Sequence, residues 1–267
     1  MGRLNVEGER GIHFESHAGV ETPVVLVHGW GMSGRVWDPV LPALVDAGHA
    51  VVTFDQRACG RSDRDFADIG VTESAADLVA VVEKLGLDTV VLNGWSLGGA
   101  VAVQAAADLG ARCVGVVLTS AASPRYIRAE DFPFGLSPGD PQLTIQALRA
   151  DRPGLLREMS KGVFASPPDP AMVDWLWSIA MEAGPAGDRA LESLARIDQR
   201  EILAHLDLPV LSIVGDSDPY VDPGIGRAAA QIARRGQLLE VAACGHVPFL
   251  EHRALYCGAL LGFLKAL

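Results

Sequence analysis

The chain has 267 residues, with 22 Lys and Arg against 33 Asp and Glu, and a formal net charge of −11 at pH 7. This length accommodates one large hydrophobic core, and the acidic balance argues against nonspecific binding to nucleic acid or to an anionic membrane. The four cysteines lack the spacing of metal ligands, and the first residues lack the apolar run of a signal peptide. We therefore expect a cytoplasmic protein with no metal site and no disulfide framework.

Short runs rich in Val, Leu and Ile alternate with helical patterns along most of the chain. After a hairpin-like segment around residues 12–16, the predicted strands are 24–27, 51–54, 90–92, 114–118, 210–214 and 238–241. Such runs are typical of parallel strands that are buried on both faces. The pattern predicts an α/β fold with a mostly parallel, doubly wound sheet.

The alternation breaks between the strand at 114–118 and the strand at 210–214. Residues 123–206 are punctuated by proline and contain short helical runs at 143–150 and 172–183. We interpret this segment as a helical cap, inserted into a core formed by residues 1–122 and 207–267. Five large apolar cap residues are candidates for lining a substrate pocket, with simple packing against the core as the alternative: Trp175, Trp177, Phe164, Met159 and Met181.

The stretch from Gly94 to Gly99 places a single serine, Ser96, between glycines. It follows a predicted strand and precedes an Ala-rich run predicted to be helical from Gly99 to Leu109. Small flanking residues suit a sharp strand-to-helix turn that exposes the serine hydroxyl at a helix N-terminus. Because a serine hydroxyl is a weak nucleophile at neutral pH, this interpretation requires a histidine base and an acid downstream.

Two later strand ends supply candidates for the acid and the base. The strand at 210–214 is followed by Asp216 and Asp218, and His246 follows the last predicted strand, just before the C-terminal helix. We select Asp218 as the acid and retain Asp216 as the competing candidate, since spacing alone does not separate them. Because the carboxyl ends of parallel strands share one edge of a sheet, Ser96, Asp218 and His246 are expected to meet there.

The order Ser96, Asp218, His246 resembles that of the α/β-hydrolases, and the resemblance covers nearly the whole chain. It implies an α/β-hydrolase fold with a helical cap and an acyl-enzyme mechanism that needs no metal or organic cofactor. In this family the oxyanion hole consists of two main-chain N–H groups, which here would be those of Leu97 and Trp30. Haloalkane dehalogenases and epoxide hydrolases have aspartate at the nucleophile position, so Ser96 argues against both.

Two motifs before the serine need separate interpretation. Residues 55–62 resemble a family loop, Asp-x-Arg-Gly-x-Gly-x-Ser, in which Ala58 replaces a glycine and would be strained if its φ is positive.

The glycines at 29, 31 and 34, with Asp55 about 20 residues later, also fit a dinucleotide-binding fingerprint and make a dehydrogenase the rival class. We disfavour that class because it leaves Ser96 and His246 without a role. His28 and Asp55 are instead expected to support their loops.

The predicted activity is that of a serine carboxylesterase acting on a small-molecule ester. Residues 28–32 and 94–99 look most like the pimeloyl-carrier-protein methyl ester esterases of biotin synthesis. Those enzymes engage an acidic carrier protein, which favours a basic cap, whereas residues 125–200 hold nine Lys and Arg against eleven Asp and Glu. The alternatives are a lactonase, a cofactor-free perhydrolase or haloperoxidase, and a noncatalytic small-molecule receptor.

Overall fold

The computed structural model describes all 267 residues and contains one eight-stranded sheet. The strands are β1 (Gly2–Glu7), β2 (Arg10–His17), β3 (Glu21–Val27), β4 (His49–Phe54), β5 (Val90–Trp95), β6 (Cys113–Thr119), β7 (Pro209–Gly215) and β8 (Arg235–Val241). Their order across the sheet is β1-β2-β4-β3-β5-β6-β7-β8, and only the β1–β2 and β2–β4 pairs are antiparallel. The predicted α/β class with a mostly parallel sheet is confirmed.

Eleven α-helices lie between these strands and after β8. They are α1 (Leu41–Asp46), α2 (Val71–Lys84), α3 (Leu97–Leu109), α4 (Asp140–Ala150), α5 (Arg152–Gly162), α6 (Pro170–Met181), α7 (Arg189–Leu194), α8 (Arg200–His205), α9 (Pro223–Ile232), α10 (Pro248–Glu251) and α11 (Arg253–Lys265). Helices α4 to α8 lie between β6 and β7, where the sequence predicted an insertion; its division from the core as a cap stays a prediction. None of the helices combines the length and the apolar character needed to cross a bilayer.

The central strands bury both of their faces. In β3, Val25 and Val27 belong to a hydrophobic cluster that includes α2 and α3, whereas Val24 and Leu26 belong to a second cluster that includes α1 and α11. Successive side chains of a strand point to opposite faces, so this alternation shows a sheet covered on both sides. The parallel order brings the carboxyl ends of β3, β5, β7 and β8 to one edge, which we call the carboxyl edge.

Candidate active site

Ser96 occupies the turn between β5 and α3 at the carboxyl edge. Its backbone has φ 56° and ψ −123°, a conformation that residues other than glycine rarely adopt. A Cβ on Gly94 would lie 2.2 Å from the Gly98 carbonyl oxygen, and a Cβ on Gly98 would lie 2.4 Å from the Val27 carbonyl oxygen. Only glycine therefore permits the close approach of β3, β5 and α3 around this turn. Helix α3 begins at Leu97, two residues before the predicted start.

His246 and Asp218 form a buried hydrogen-bonded pair just beyond β8 and β7. His246 Nδ1 lies 2.7 Å from Asp218 Oδ2, and the two side chains are 6% and 2% exposed. Asp218 Oδ1 accepts the main-chain N–H groups of Tyr220 at 2.8 Å and Val221 at 3.0 Å. The carboxylate thus accepts a hydrogen bond from the proton on Nδ1 and orients the ring. Nε2 makes no hydrogen bond to this carboxylate, and His246 and Ser96 line the same cavity.

Asp216, the competing acid, has a different environment. Its Oδ1 accepts the hydroxyl of Ser217 at 2.8 Å and the N–H of Cys244 at 3.4 Å, and its side chain is exposed. The Ser217 hydrogen bond, with the main-chain donors, holds the pKa of the Asp216 carboxyl below its usual range. The structure therefore brings Asp218 to His246 and leaves Asp216 as a residue of the turn.

Two aromatic side chains flank the imidazole. The ring centroids of Trp95 and Tyr220 lie 5.3 Å and 5.8 Å from that of His246, and the Trp95 indole N–H donates to the His246 carbonyl oxygen at 2.8 Å. Burial raises the pKa of Tyr220, and the charge of Asp218 raises it further, so its phenol is neutral at physiological pH. These contacts restrict the rotation of the imidazole, as a positioned base requires.

The loop that carries His246, residues 242–247, is called the histidine loop. It is held by contacts that the sequence analysis did not anticipate. The His246 main-chain N–H donates to the Val163 carbonyl oxygen at 2.7 Å. The carboxylate of Glu251, at the end of α10, accepts the N–H of Gly245 at 2.7 Å and the N–H of Ala165 at 2.8 Å. One side chain therefore ties the histidine loop to the chain that follows α5. Nothing in the sequence distinguishes Glu251 from the other surface carboxylates.

The loop after β3 lies beside the serine. A Cβ on Gly29 would be 3.2 Å from the Ser96 Cβ, which places the next residue, Trp30, close to the hydroxyl. The Trp30 side chain lines the cavity, and its indole N–H donates to the Gly187 carbonyl oxygen at 3.1 Å. Leu97 is the first residue of α3, where main-chain N–H groups have no partner within the helix. Trp30 and Leu97 therefore line the same cavity as Ser96, and their role as oxyanion donors stays a prediction.

His28 supports this loop, as the sequence led us to expect. Its Nδ1 lies 2.8 Å from the Gly29 carbonyl oxygen, and its Nε2 accepts the main-chain N–H of Gln56 at 2.9 Å. Burial lowers the pKa of His28, so the ring is neutral with its proton on Nδ1. The residue is a structural brace with both ring nitrogens occupied.

The glycine pattern after β3 does not form a dinucleotide site. The chain from Gly34 to Trp37 makes a short 3₁₀ turn, whereas a dinucleotide fingerprint opens a long α-helix. The Asp55 carboxylate accepts the main-chain N–H groups of Gly34 at 2.7 Å and Arg61 at 2.9 Å, so both of its oxygens have partners within the protein. No cluster of three His, Cys, Asp or Glu side chains in the protein could hold a metal ion.

Ala58 has the positive φ that the family loop normally assigns to glycine. Its φ is 62°, its side chain is fully buried, and its carbonyl oxygen accepts the N–H of Gly184 at 2.8 Å. Next to it, Arg57 forms two hydrogen bonds of 2.7 and 2.9 Å to the buried carboxylate of Asp77. Residues 55–62 thus brace their own turn and hold part of the segment between β6 and β7.

A cavity of about 570 Å³ adjoins Ser96 and His246. Of the five large apolar candidates for its lining, Met159 lines the cavity, whereas Trp175, Trp177, Phe164 and Met181 do not. Trp175, Trp177 and Phe164 pack against the second hydrophobic cluster, while Met181 is 40% exposed. Between β6 and β7, most of the lining residues come from α4 and α5, and α6 contributes only Ala180. Helix α6 packs mainly against α5.

The mostly parallel sheet carries a serine at a strand-to-helix turn and a histidine–aspartate pair at the same edge. This arrangement is typical of hydrolases. The sequence pattern of the alpha/beta hydrolase fold matches residues 22–253. The chain belongs to the α/β-hydrolase family.

Relatives and solved structures match nearly the full length of the chain. It is 33% identical over 251 residues to the pimeloyl-[acyl-carrier protein] methyl ester esterase of Stenotrophomonas maltophilia strain R551-3, covering 91% of this chain and 93% of that protein. It superposes on a bromoperoxidase from Bacillus anthracis with a TM-score of 0.91, 30% identity and 96% coverage of both chains. An esterase from Exiguobacterium antarcticum gives a TM-score of 0.95 at 24% identity, covering 99% of this chain and 100% of that one, and shows the shared fold.

Proposed function

We propose that the protein is a serine carboxylesterase that cleaves a small-molecule ester through an acyl-enzyme intermediate. The observation that carries this proposal is the 2.7 Å contact between His246 and Asp218 at the wall of the cavity that Ser96 lines. The family and its relatives support ester hydrolysis in general. The assignment of Ser96 as nucleophile is the finer step of the proposal.

In the first half-reaction, Nε2 of His246 takes the proton from the Ser96 hydroxyl as Oγ attacks the ester carbonyl carbon. The carbonyl oxygen becomes an oxyanion, which the main-chain N–H groups of Leu97 and Trp30 stabilise. Asp218 stabilises the imidazolium that forms. The tetrahedral intermediate then collapses, the C–O bond to the alcohol breaks, and His246 gives its proton to the departing alcohol.

In the second half-reaction, water replaces the alcohol in the cavity. His246 removes a proton from this water as its oxygen attacks the acyl carbon, and the oxyanion forms again in the same place. Collapse breaks the bond to Ser96, which recovers its proton from His246. The products are a carboxylic acid and an alcohol, and the protein returns to its initial state.

Residues 123–206 act in this proposal as a cap that encloses the substrate. The carboxyl edge provides the reacting groups, whereas α4 and α5 supply a large part of the cavity lining. Four of the hydrogen bonds that fix the cap to the site are Trp30 to Gly187, Ala58 to Gly184, Glu251 to Ala165, and His246 to Val163. The cap's net negative charge disfavours an acidic carrier protein as the usual substrate.

Hydrolysis of a short-chain p-nitrophenyl ester by the wild type and by Ser96→Ala tests the proposal. Intact-mass analysis after reaction with a fluorophosphonate probe identifies the nucleophile. We expect turnover and one covalent adduct for the wild type, and neither for the variant. Equal turnover of both proteins, or labelling of the variant, would assign the chemistry to another group.

Perhydrolysis is a second candidate activity, favoured by the 30% identity to the Bacillus anthracis bromoperoxidase. Hydrogen peroxide would replace water as the attacking nucleophile on the acyl-enzyme and would give a peracid. The same Ser96 adduct is required, so the two activities differ only in the second half-reaction. Measuring peracid against free acid at increasing peroxide concentration separates them.

A further inference from the structure

The side chains of the cavity wall include two carboxylates and no lysine or arginine. The lining comprises 26 residues, of which 17 are hydrophobic, and it includes Asp140 and Glu158 but no Lys or Arg. Asp140 is half-buried at the start of α4, and Glu158 is exposed on α5. A substrate in this cavity therefore meets two carboxylates without a compensating cation.

The two carboxylates are not neutralised by neighbouring side chains. Asp140 accepts the main-chain N–H of Ser137 at 2.8 Å, and neither Asp140 nor Glu158 forms an ion pair in the protein. On α4, Asp140 shares its cavity-facing side with Leu143, Thr144 and Ala147, the spacing of one helix face. No side-chain cation therefore offsets the two carboxylates at the wall of this largely apolar cavity.

Two tyrosines line the cavity together with the carboxylates. The Tyr220 ring stands 5.8 Å from that of His246, and its hydroxyl lies 3.5 Å from the carbonyl oxygen of Met159, the neighbour of Glu158. The Tyr126 hydroxyl lies 3.5 Å from the Tyr220 carbonyl oxygen. Burial raises the pKa of Tyr126, and the charges of Asp218 and Asp140 raise it further. The two tyrosines are therefore neutral and add no charge to the cavity wall.

We propose that Asp140 and Glu158 determine the substrate class of the cavity, excluding esters that carry a negative charge and favouring neutral or positively charged ones. This inference rests on the proposed ester hydrolysis. Charges in an apolar cavity interact more strongly than charges in water, so an anionic substituent is repelled and a cationic one attracted. Because Asp140 is more buried than Glu158, solvent and salt screen it less, and it contributes the larger part.

Three esters that differ mainly in terminal charge test the inference. They are dimethyl adipate, which is neutral, monomethyl adipate, which is anionic at pH 7.5, and the methyl ester of 6-(trimethylammonio)hexanoate, which is cationic. For the wild type we expect kcat/KM for the anion to be at least tenfold below that for the neutral ester, with the cation equal to the neutral ester or better. Raising the salt concentration should reduce the difference between the three.

Charge-neutral variants locate the source of the discrimination. Asp140→Asn retains an oxygen that can accept the Ser137 N–H, and Glu158→Gln keeps the size of the side chain. We expect the double variant to hydrolyse the anion within about threefold of the neutral ester. Glu130→Gln is the matched control, because Glu130 is an exposed carboxylate of the same segment outside the cavity lining.

The possible outcomes distinguish failure of this inference from failure of the proposed ester hydrolysis. Wild-type hydrolysis of the anion and the neutral ester at equal rates would overturn the inference and leave the esterase proposal intact. The same follows if the double variant discriminates as strongly as the wild type, or if Glu130→Gln relaxes discrimination equally. Failure to hydrolyse any of the three esters, together with no fluorophosphonate adduct, would instead contradict the proposed function.

Discussion

Replacing Asp218 by asparagine should invert the proton arrangement of His246. Asp218 Oδ1 accepts two main-chain N–H groups, from Tyr220 and Val221, and Oδ2 faces His246 Nδ1. In Asp218→Asn the amide oxygen must keep the two main-chain donors, so the NH₂ group faces Nδ1 and donates to it. Nδ1 then becomes an acceptor, the ring proton moves to Nε2, and Nε2 can no longer take the proton of Ser96.

The size of the effect follows from the loss of the base while the oxyanion donors stay in place. The corresponding change in serine-protease triads lowers kcat by roughly 10⁴, and we expect a loss of about 10³ to 10⁴ here. This equals about 4 to 5.5 kcal/mol of transition-state stabilisation, at about 1.4 kcal/mol for each factor of ten. KM should change little, because the substrate contacts are intact. Hydrolysis of an alkyl methyl ester followed by pH-stat avoids the easy leaving group of an activated ester.

Asp216→Asn is the matched control for this substitution. Asp216 lies two residues before Asp218, and its contacts are with Ser217 and Cys244. We expect its activity to stay within twofold of the wild type. If Asp218→Asn retained more than a tenth of wild-type kcat, or if Asp216→Asn lost as much activity, the tautomer argument would be refuted. Thermal unfolding of both variants checks that the fold is preserved.

The remaining predictions concern the groups around the site. Glu251→Ala removes the acceptor of two main-chain N–H groups and should lower the free energy of unfolding by about 2 to 4 kcal/mol, with Glu251→Gln intermediate, as measured by urea titration. Loss of stability with unaltered kcat would show that the bridge does not position His246. Ala58→Val should destabilise by more than about 2 kcal/mol, because a β-branched residue is disfavoured at φ 62°, whereas Ala58→Gly should stay within about 1 kcal/mol of the wild type; similar stabilities for all three proteins would contradict the strain argument. Burial lowers the pKa of His28 below the unfolded value of about 6.5, so the unfolded chain binds more protons at acidic pH and the free energy of unfolding should fall as pH drops below about 6.5. An NMR titration in which the His28 ring protonates near its ordinary pKa would contradict this assignment.

Several parts of the site could be predicted because they depend on local sequence. The sharp turn at Ser96 requires glycines at fixed neighbouring positions, since a Cβ on Gly94 or Gly98 would lie 2.2 or 2.4 Å from a backbone carbonyl oxygen. Parallel strands bring their carboxyl ends to one edge, so residues that follow strands, such as Asp218 and His246, are placed together by topology. The positive φ of Ala58 was likewise foreseeable, because the surrounding motif marks a position usually occupied by glycine.

Other features depend on contacts between distant segments. The sequence left Asp216 and Asp218 as alternatives, and only the course of the chain after β7 brings Asp218 to within 2.7 Å of His246. The bridge made by Glu251 joins two segments 86 residues apart, and no local pattern encodes it.

The helices between β6 and β7 show most clearly where the sequence stops being sufficient. Their apolar residues predicted a helical segment, and helices α4 and α6 formed where expected. Which of those residues enclose the cavity depended on how the helices pack against one another, so Met159 lines it while Trp175 and Trp177 do not. Hydrophobicity favours burial of a side chain, but it does not specify which neighbouring helix or cavity the side chain contacts. The sequence alone therefore determined the mostly parallel character of the sheet, the order of Ser96, Asp218 and His246 and the serine turn. The tertiary structure decided which carboxylate contacts His246, and it decided the shape and charge of the cavity.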